Sequence, residues 1–187
     1  MKKLIYLVLA AALALATTVT AETTVKLSGV HLCCGGCAKG IANAVKKVEG
    51  ASVSCDRDAG SVTVTAGDDA VARKALAAIG RAGYYGKSDH KKLRVPGRKA
   101  KDAKVSNQKV AGVHLCCGKC VKAIDAVVAA VDGATGHDAE KGSQVFTIKG
   151  SYSALALQTA LHDAGLNGRT PGGAGKGKGK GKGKKKS

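Results

Sequence analysis

The nine residues 29–37, GVHLCCGGC, recur at 112–120 as GVHLCCGKC with one difference, and no other feature of this chain restricts its folds as strongly. The likeness continues downstream. Ile41, Val45, Val48 and Gly50 match Ile124, Val128, Val131 and Gly133; Gly60 and Ser61 match Gly142 and Ser143; Ala82 and Gly83 match Ala164 and Gly165. A fixed pattern repeated along a chain marks a duplicated structural unit. Each unit is roughly 64 residues long, inside the range that folds alone. The 187 residues are therefore read as two small domains rather than one larger one.

Hydrophobic period supplies the elements of each unit. Residues 24–32 alternate apolar and polar, as a strand does, and 38–48 place Ile41, Val45 and Val48 on one helical face. Gly50 stops that helix. Residues 52–55 and 61–66 predict two strands joined by the polar turn 56–60. Asp68 or Asp69 caps a second helix carrying Val71, Leu76 and Ile79, and Gly83 ends it before a short strand at Tyr84 and Tyr85. The second unit repeats the order with strands at 107–115, 134–137 and 143–149, helices at 119–131 and after Ser151, and a short end at Leu166 and Asn167. The order βαββαβ predicts an α+β fold: two ferredoxin-like sandwiches, each with two helices on one face of a four-stranded antiparallel sheet.

The flanks differ in kind. Lys2 and Lys3 precede an apolar run at 4–16 and a small-residue site Val19-Thr20-Ala21, the pattern of a signal peptide over 1–21. The run is shorter than the roughly 20 residues a bilayer span needs. The expected localisation is export to a periplasmic or extracellular space, with the mature chain starting near Glu22. The first domain is read as 22–87 and the second as 107–170. Between them 88–106 forms a basic linker, rich in Lys and Arg with the Pro96-Gly97 breaker, and is expected to be a flexible tether. Residues 171–187 are a Gly/Lys-rich run without the apolar content to build a core, and are read as a disordered tail. The formal net charge of +18 is concentrated in this tail and the linker, which argues against a folded basic face.

Seven cysteines in an exported chain would ordinarily predict disulfide staples. Six of them, however, sit in two tight clusters, where a staple constrains little of the unfolded state. The alternative is metal chemistry. In each unit the first strand feeds a loop that opens a helix, so the cysteines lie at a helix N-terminus, where unpaired N–H groups and the positive dipole end favour thiolate. Lys39 and Lys122 add positive charge one turn on. A Cys-x-x-Cys pair there aims two sulfurs at one point, and thiolates select soft or borderline ions such as Cu(I) and Zn(II). The metal-binding core is thus Cys34 with Cys37 and Cys117 with Cys120. Cys33 and Cys116 supply a third sulfur to each site. His31 and His114 have two readings, a fourth ligand completing a closed zinc-type tetrahedron or an outward-facing strand residue.

These motifs resemble the heavy-metal-associated domain, over 24–87 and again over 107–169. That family occurs in copper chaperones, metal-exporting ATPases and periplasmic mercury-binding proteins, and combines the βαββαβ order with a Gly-Met-x-Cys-x-x-Cys motif. The resemblance implies ligands at Cys34, Cys37, Cys117 and Cys120. Leu32 and Leu115 stand where the family often has Met, and the extra Cys33 and Cys116 are unusual in it. The ion is therefore open among Cu(I), the preferred expectation, Zn(II) as runner-up, and Cd(II) or Hg(II). The implied partner is a metal-donor or metal-acceptor protein such as a transporter.

Other positions carry weaker signals. Aligning Gly60 with Gly142 sets Cys55 opposite His137 at the start of the second hairpin. That strand should lie at a sheet edge roughly 10 Å from the first, so an exposed polar position outweighs a ligand role. Tyr84 and Leu166 are expected to shield the site. His90 and His162 are read as solvated.

Two rival functions arise. CGGC and CGKC are redox-type sequences, which makes a thiol–disulfide protein the alternative reading. Against it, neither unit has a Trp beside the cysteines or a proline placed to face them. The βαββαβ order is also shared with RNA-recognition domains, but the aromatic stacking platform is missing apart from Phe146, which excludes specific nucleic-acid binding. The tail retains a non-specific contact with anionic polymers or a membrane surface. No phosphate loop, activated nucleophile or carboxylate pair appears, so the chain is read as a binder and not an enzyme.

Overall fold

The computed structural model describes residues 21–97 and 100–170. The signal peptide, except for Ala21, and the Gly/Lys-rich tail lie outside the described residues. The fold is α+β: antiparallel sheets with four helices among the described residues.

In the N-terminal half the elements are β1 (Thr23–Ser28), α1 (Gly35–Val45), β2 (Ala51–Asp56), β3 (Ser61–Ala66), α2 (Asp69–Arg81) and β4 (Lys87–Ser88), with sheet order β2-β3-β1-β4. Register follows the alternation of apolar residues. Val25 lies opposite Val64 and Leu27 opposite Val62, and all four side chains are buried. Asp68 caps α2, its carboxylate accepting from the Val71 N–H at 2.7 Å. On α2 Ala72, Ala75, Leu76 and Ile79 are buried against the sheet at helical spacing.

The C-terminal half contains β5 (Lys104–Ala111), α3 (Gly118–Ala129), β6 (Ala134–His137), β7 (Val145–Ser153) and α4 (Ala154–Asp163). Here the expectation of a four-stranded sheet is corrected: the sheet has three strands, in the order β5-β7-β6. The fourth position is filled by one bridge, with Ala111 and Arg169 exchanging backbone hydrogen bonds of 2.9 and 2.7 Å. The reason lies in where the preceding residues go. Leu166, expected to start a strand beside β5, instead bridges Tyr84 of the other half, and the Asn167 N–H donates to the Gly83 carbonyl at 2.9 Å. Tyr84 and Tyr85 likewise do not begin the fourth strand of the N-terminal half, which forms two residues later at β4.

The two halves are joined by more than a tether. The basic stretch after β4 returns to the protein and buries Leu93 and Val95. Ser88 Oγ donates to the Leu93 carbonyl, and His90 Nδ1 accepts from the Lys92 and Leu93 N–H groups. The expected flexible linker is thus ordered over this part, because two apolar residues within a charged stretch find a place in the core. His162, expected to be solvated, stacks on Tyr85 with ring centroids 3.8 Å apart. One apolar core runs through both halves.

Candidate metal centre

β1 ends at Ser28, four residues short of the sequence expectation, because Gly29 turns the backbone into the left-handed region at φ +68°. Gly112 does the same after β5, at φ +76°. The loop that follows β1 is pinned to the β2–β3 turn, where the Val30 N–H donates to the Gly60 carbonyl at 2.9 Å. Leu32 and Leu115 are buried beneath their loops. Cys34 and Cys117 then serve as the extended N-cap residues of α1 and α3, so both helices open inside the motif, earlier than the apolar period indicates. The third helical residue in each, Cys37 or Cys120, is buried on the same face as Ile41 or Ile124 one turn on.

The two loops meet. Each half places a glycine before its last bridge, Gly83 at φ +92° and Gly165 at φ +74°, directly against the backbone of the other half's cysteine loop. Gly83 abuts Gly112 and His114; Gly165 abuts Gly29 and His31. The Gly165 carbonyl accepts from the Tyr85 N–H at 3.0 Å and from the His31 N–H at 3.4 Å. The structure therefore carries a reciprocal contact between the halves, and its trace in the sequence is the matched Ala-Gly pairs at 82–83 and 164–165.

This contact merges the two sets of cysteines into one cluster. Cys34 and Cys37 lie 3.9 Å apart, and Cys116 of the other half is 3.5 and 3.7 Å from them. Cys117 and Cys120 are 3.8 Å apart, and Cys33 is 3.5 Å from both. Each Cys-x-x-Cys pair is thus completed to a triangle by the extra cysteine of the opposite half. A metal–sulfur bond of about 2.3 Å in a planar three-sulfur site separates the sulfurs by about 4.0 Å, so these triangles are close to the size a soft ion needs. The repeat pattern identifies all six sulfurs but assigns Cys33 and Cys116 to their own units. The swap follows from tertiary contact, which a repeat pattern does not specify.

The electrostatics divide the thiols into two kinds. Burial pushes the Cys33 and Cys116 thiols far up, reinforced by the surrounding cysteine sulfurs. Burial also raises Cys37. At the N-cap positions the balance reverses. The backbone N–H of Cys37, followed by the Cys116 thiol, lowers Cys34, and the backbone N–H of Cys120 lowers Cys117 to about 6. No hydrogen bond caps either helix from these side chains, so the effect is that of nearby positive N–H ends.

His31 and His114 sit behind the cluster, each with a buried Nε2 that has no hydrogen-bond partner. Desolvation lowers both, and proximity to His31 lowers His114 further. Ligand atoms of His31, Cys33 and Cys120 come within 4.8 Å of one another, which keeps His31 within reach of an ion. His114 packs on the Tyr84 ring at 4.7 Å. Tyr84 is fully buried and donates its hydroxyl to the Cys37 carbonyl at 3.0 Å, walling off the first turn of α1. Cys55 and His137 are not part of the cluster. Cys55 pairs with Val62 in the edge hairpin. His137 is held by Asp125 through Nε2 at 2.8 Å and by the Ala139 N–H through Nδ1 at 3.0 Å.

Comparison with known proteins agrees with this chemistry for the N-terminal half. Residues 24–85 match the family model of the heavy-metal-associated domain. Among solved structures, the chain is similar to the solution structure of the N-terminal soluble domains of Bacillus subtilis CopA. The identity is 14%, the likeness covers 82% of this chain and 96% of that one, and the TM-score is 0.30. No curated protein matches.

Proposed function

We propose that the chain is an exported binder of soft metal ions, Cu(I) before Zn(II), that sequesters or buffers the ion and passes it to a partner such as a transporter. The observation that carries this reading is the completion of each Cys-x-x-Cys pair by a cysteine of the other half, at 3.5–3.7 Å for Cys116 and 3.5 Å for Cys33. Three thiolates around a shared point suit a monovalent soft ion, because thiolate ligands favour soft ions over hard, hydrated ones. The heavy-metal-associated match over 24–85 supports the same chemistry. In this reading the protein binds and releases without a covalent reaction on its cargo. Lys-rich flanks add a weak, salt-sensitive affinity for anionic surfaces.

Anaerobic competition between the reduced chain and a chromophoric Cu(I) chelator tests the proposal, with wild type set against the double variant Cys34→Ser, Cys117→Ser. Binding unchanged in the double variant ends it. Fractionation of cells, with N-terminal sequencing of the mature chain, tests export; a start near Glu22 is expected.

A thiol–disulfide function has one observation in its favour, the Cys117 thiol held at about 6. Turnover in a disulfide reductase or isomerase assay, without tight Cu(I) uptake, would favour that reading.

A further inference from the structure

The six sulfurs are arranged as the corners of an octahedron. The closest neighbours include Cys33–Cys37 at 3.6 Å and Cys116–Cys120 at 3.7 Å, in addition to the two swapped triangles. The triples Cys33–Cys34–Cys37, Cys34–Cys116–Cys117 and Cys37–Cys116–Cys120 each lie within 4.8 Å. Together these contacts link every sulfur to four others and leave it one sulfur across the cluster: Cys33 faces Cys116, Cys34 faces Cys120, and Cys37 faces Cys117. Six points related in this way define eight triangular faces. The three triples just named and Cys33–Cys117–Cys120 are four faces that alternate, sharing corners but no edges.

We propose that the cluster holds four Cu(I) ions, one over each face of one alternate set, either this one or the complementary set that contains Cys34–Cys37–Cys116, with every thiolate bridging two ions. The proposal rests on the soft-metal reading above and replaces one ion per Cys-x-x-Cys pair with a single polynuclear core. Each ion receives three sulfurs, and each sulfur, shared between two faces, is used twice. Charge supports the count. Four monovalent ions and six thiolates leave a net charge of −2 on the core, placed against the N-terminal ends of α1 and α3, where N–H groups favour negative charge. A single ion on one triangle would leave three further sulfurs at 3.5–3.9 Å spacing without an ion. Counted from six protonated thiols, loading balances as four Cu(I) ions bound and six thiol protons released. No oxidant or reductant is consumed.

Anaerobic titration of the reduced full chain with Cu(I), read by native mass spectrometry, gives the count directly. The expected end point is a monomer carrying four ions, with copper–copper scattering in its X-ray absorption spectrum. Saturation at one or two ions, or an absorption spectrum without copper–copper scattering, overturns the tetranuclear core but leaves soft-metal binding intact. Absence of any Cu(I) uptake overturns both readings. In Cys33→Ser, Cys116→Ser the Cys-x-x-Cys pairs remain while two opposite corners of the octahedron are lost, and uptake is expected to fall to two ions or fewer. Retention of four ions in that variant contradicts the bridging arrangement.

Discussion

The Sγ atoms of Cys34 and Cys116 lie 3.5 Å apart although 82 positions separate them in sequence. The cysteine preceding one Cys-x-x-Cys pair is therefore a neighbour of the other pair. In a chain carrying Cys33→Ser, Cys117→Ser and Cys120→Ser, which leaves the first pair with Cys116 alone, a further Cys116→Ser change is expected to lower Cu(I) affinity by roughly tenfold or more, since loss of a direct ligand costs at least as much as loss of an outer-shell partner. Chelator competition reads the effect. Equal affinity with and without Cys116 would mean that Cys34 and Cys37 bind without help from the other half.

The contact that builds the cluster depends on two glycines. Gly165→Ala is expected to destabilise the fold by about 2–5 kcal/mol, because the conformational cost of φ +74° is joined by the clash of a Cβ with the Gly29 carbonyl and the His31 N–H. Gly142 supplies the control. Its φ is +84°, but a Cβ added there would meet nothing within 4 Å, so Gly142→Ala carries only the conformational cost of about 1–2 kcal/mol. Denaturant unfolding compares the two. The reading of a close contact between halves fails if Gly165→Ala is no worse than Gly142→Ala, or if Cu(I) stoichiometry is indifferent to Gly165→Ala in folded protein.

Much of this organisation is legible in the sequence. The strand at 61–66 and the strand at 134–137 coincide with β3 and β6, because alternation and turn residues act locally. Spacing alone identifies all six clustered cysteines. What local pattern does not reveal is long-range. Gly29 and Gly112 end their strands early because the backbone turns left-handed there, which moves His31 and His114 off any strand. Leu166 pairs with Tyr84 instead of with β5. Leu93 and Val95 have no periodic partners in sequence, yet the core accepts both. In each case a tertiary contact or a backbone turn outweighs a local preference.

Gly40 and Tyr84 show how the two halves solve the same packing problem differently. A Cβ at Gly40 would lie 2.5 Å from Tyr84 Oη and 3.1 Å from His114 Cε1. In the other half the equivalent positions in sequence are Ala123 and Leu166, a larger helix residue and a shorter partner. Gly40→Ala alone is therefore expected to cost about 1–3 kcal/mol by overpacking. Combined with Tyr84→Leu it should cost less than the sum of the single changes, since the clash is relieved and Ala favours the helix by about 1 kcal/mol over Gly. Thermal unfolding of the four proteins forms the cycle. Strict additivity would show that Tyr84 is not what excludes a side chain at position 40.

Reactivity should separate the thiols by pH. Cys117 is lowered from 9.0 to about 6, first by the Cys120 backbone N–H, so its thiolate is favoured in the folded protein. The sign of the linkage follows: stability from this group is full above its unfolded value of about 9, declines as pH falls toward 6, and is absent below. Cys33 and Cys116 shift the other way through burial and stay protonated beyond the ordinary thiol range. In metal-free, reduced protein the iodoacetamide labelling rate at Cys117 is expected to rise with a midpoint near pH 6, while Cys33 and Cys116 remain slow at about pH 8. Peptide mass spectrometry after short pulses resolves each site. Because loading displaces thiol protons, Cu(I) affinity must also weaken on acidification, with the protonation of Cys117 contributing only below about pH 6. A Cys117 midpoint near 9 would remove the distinction between N-cap and buried thiols on which this ordering depends.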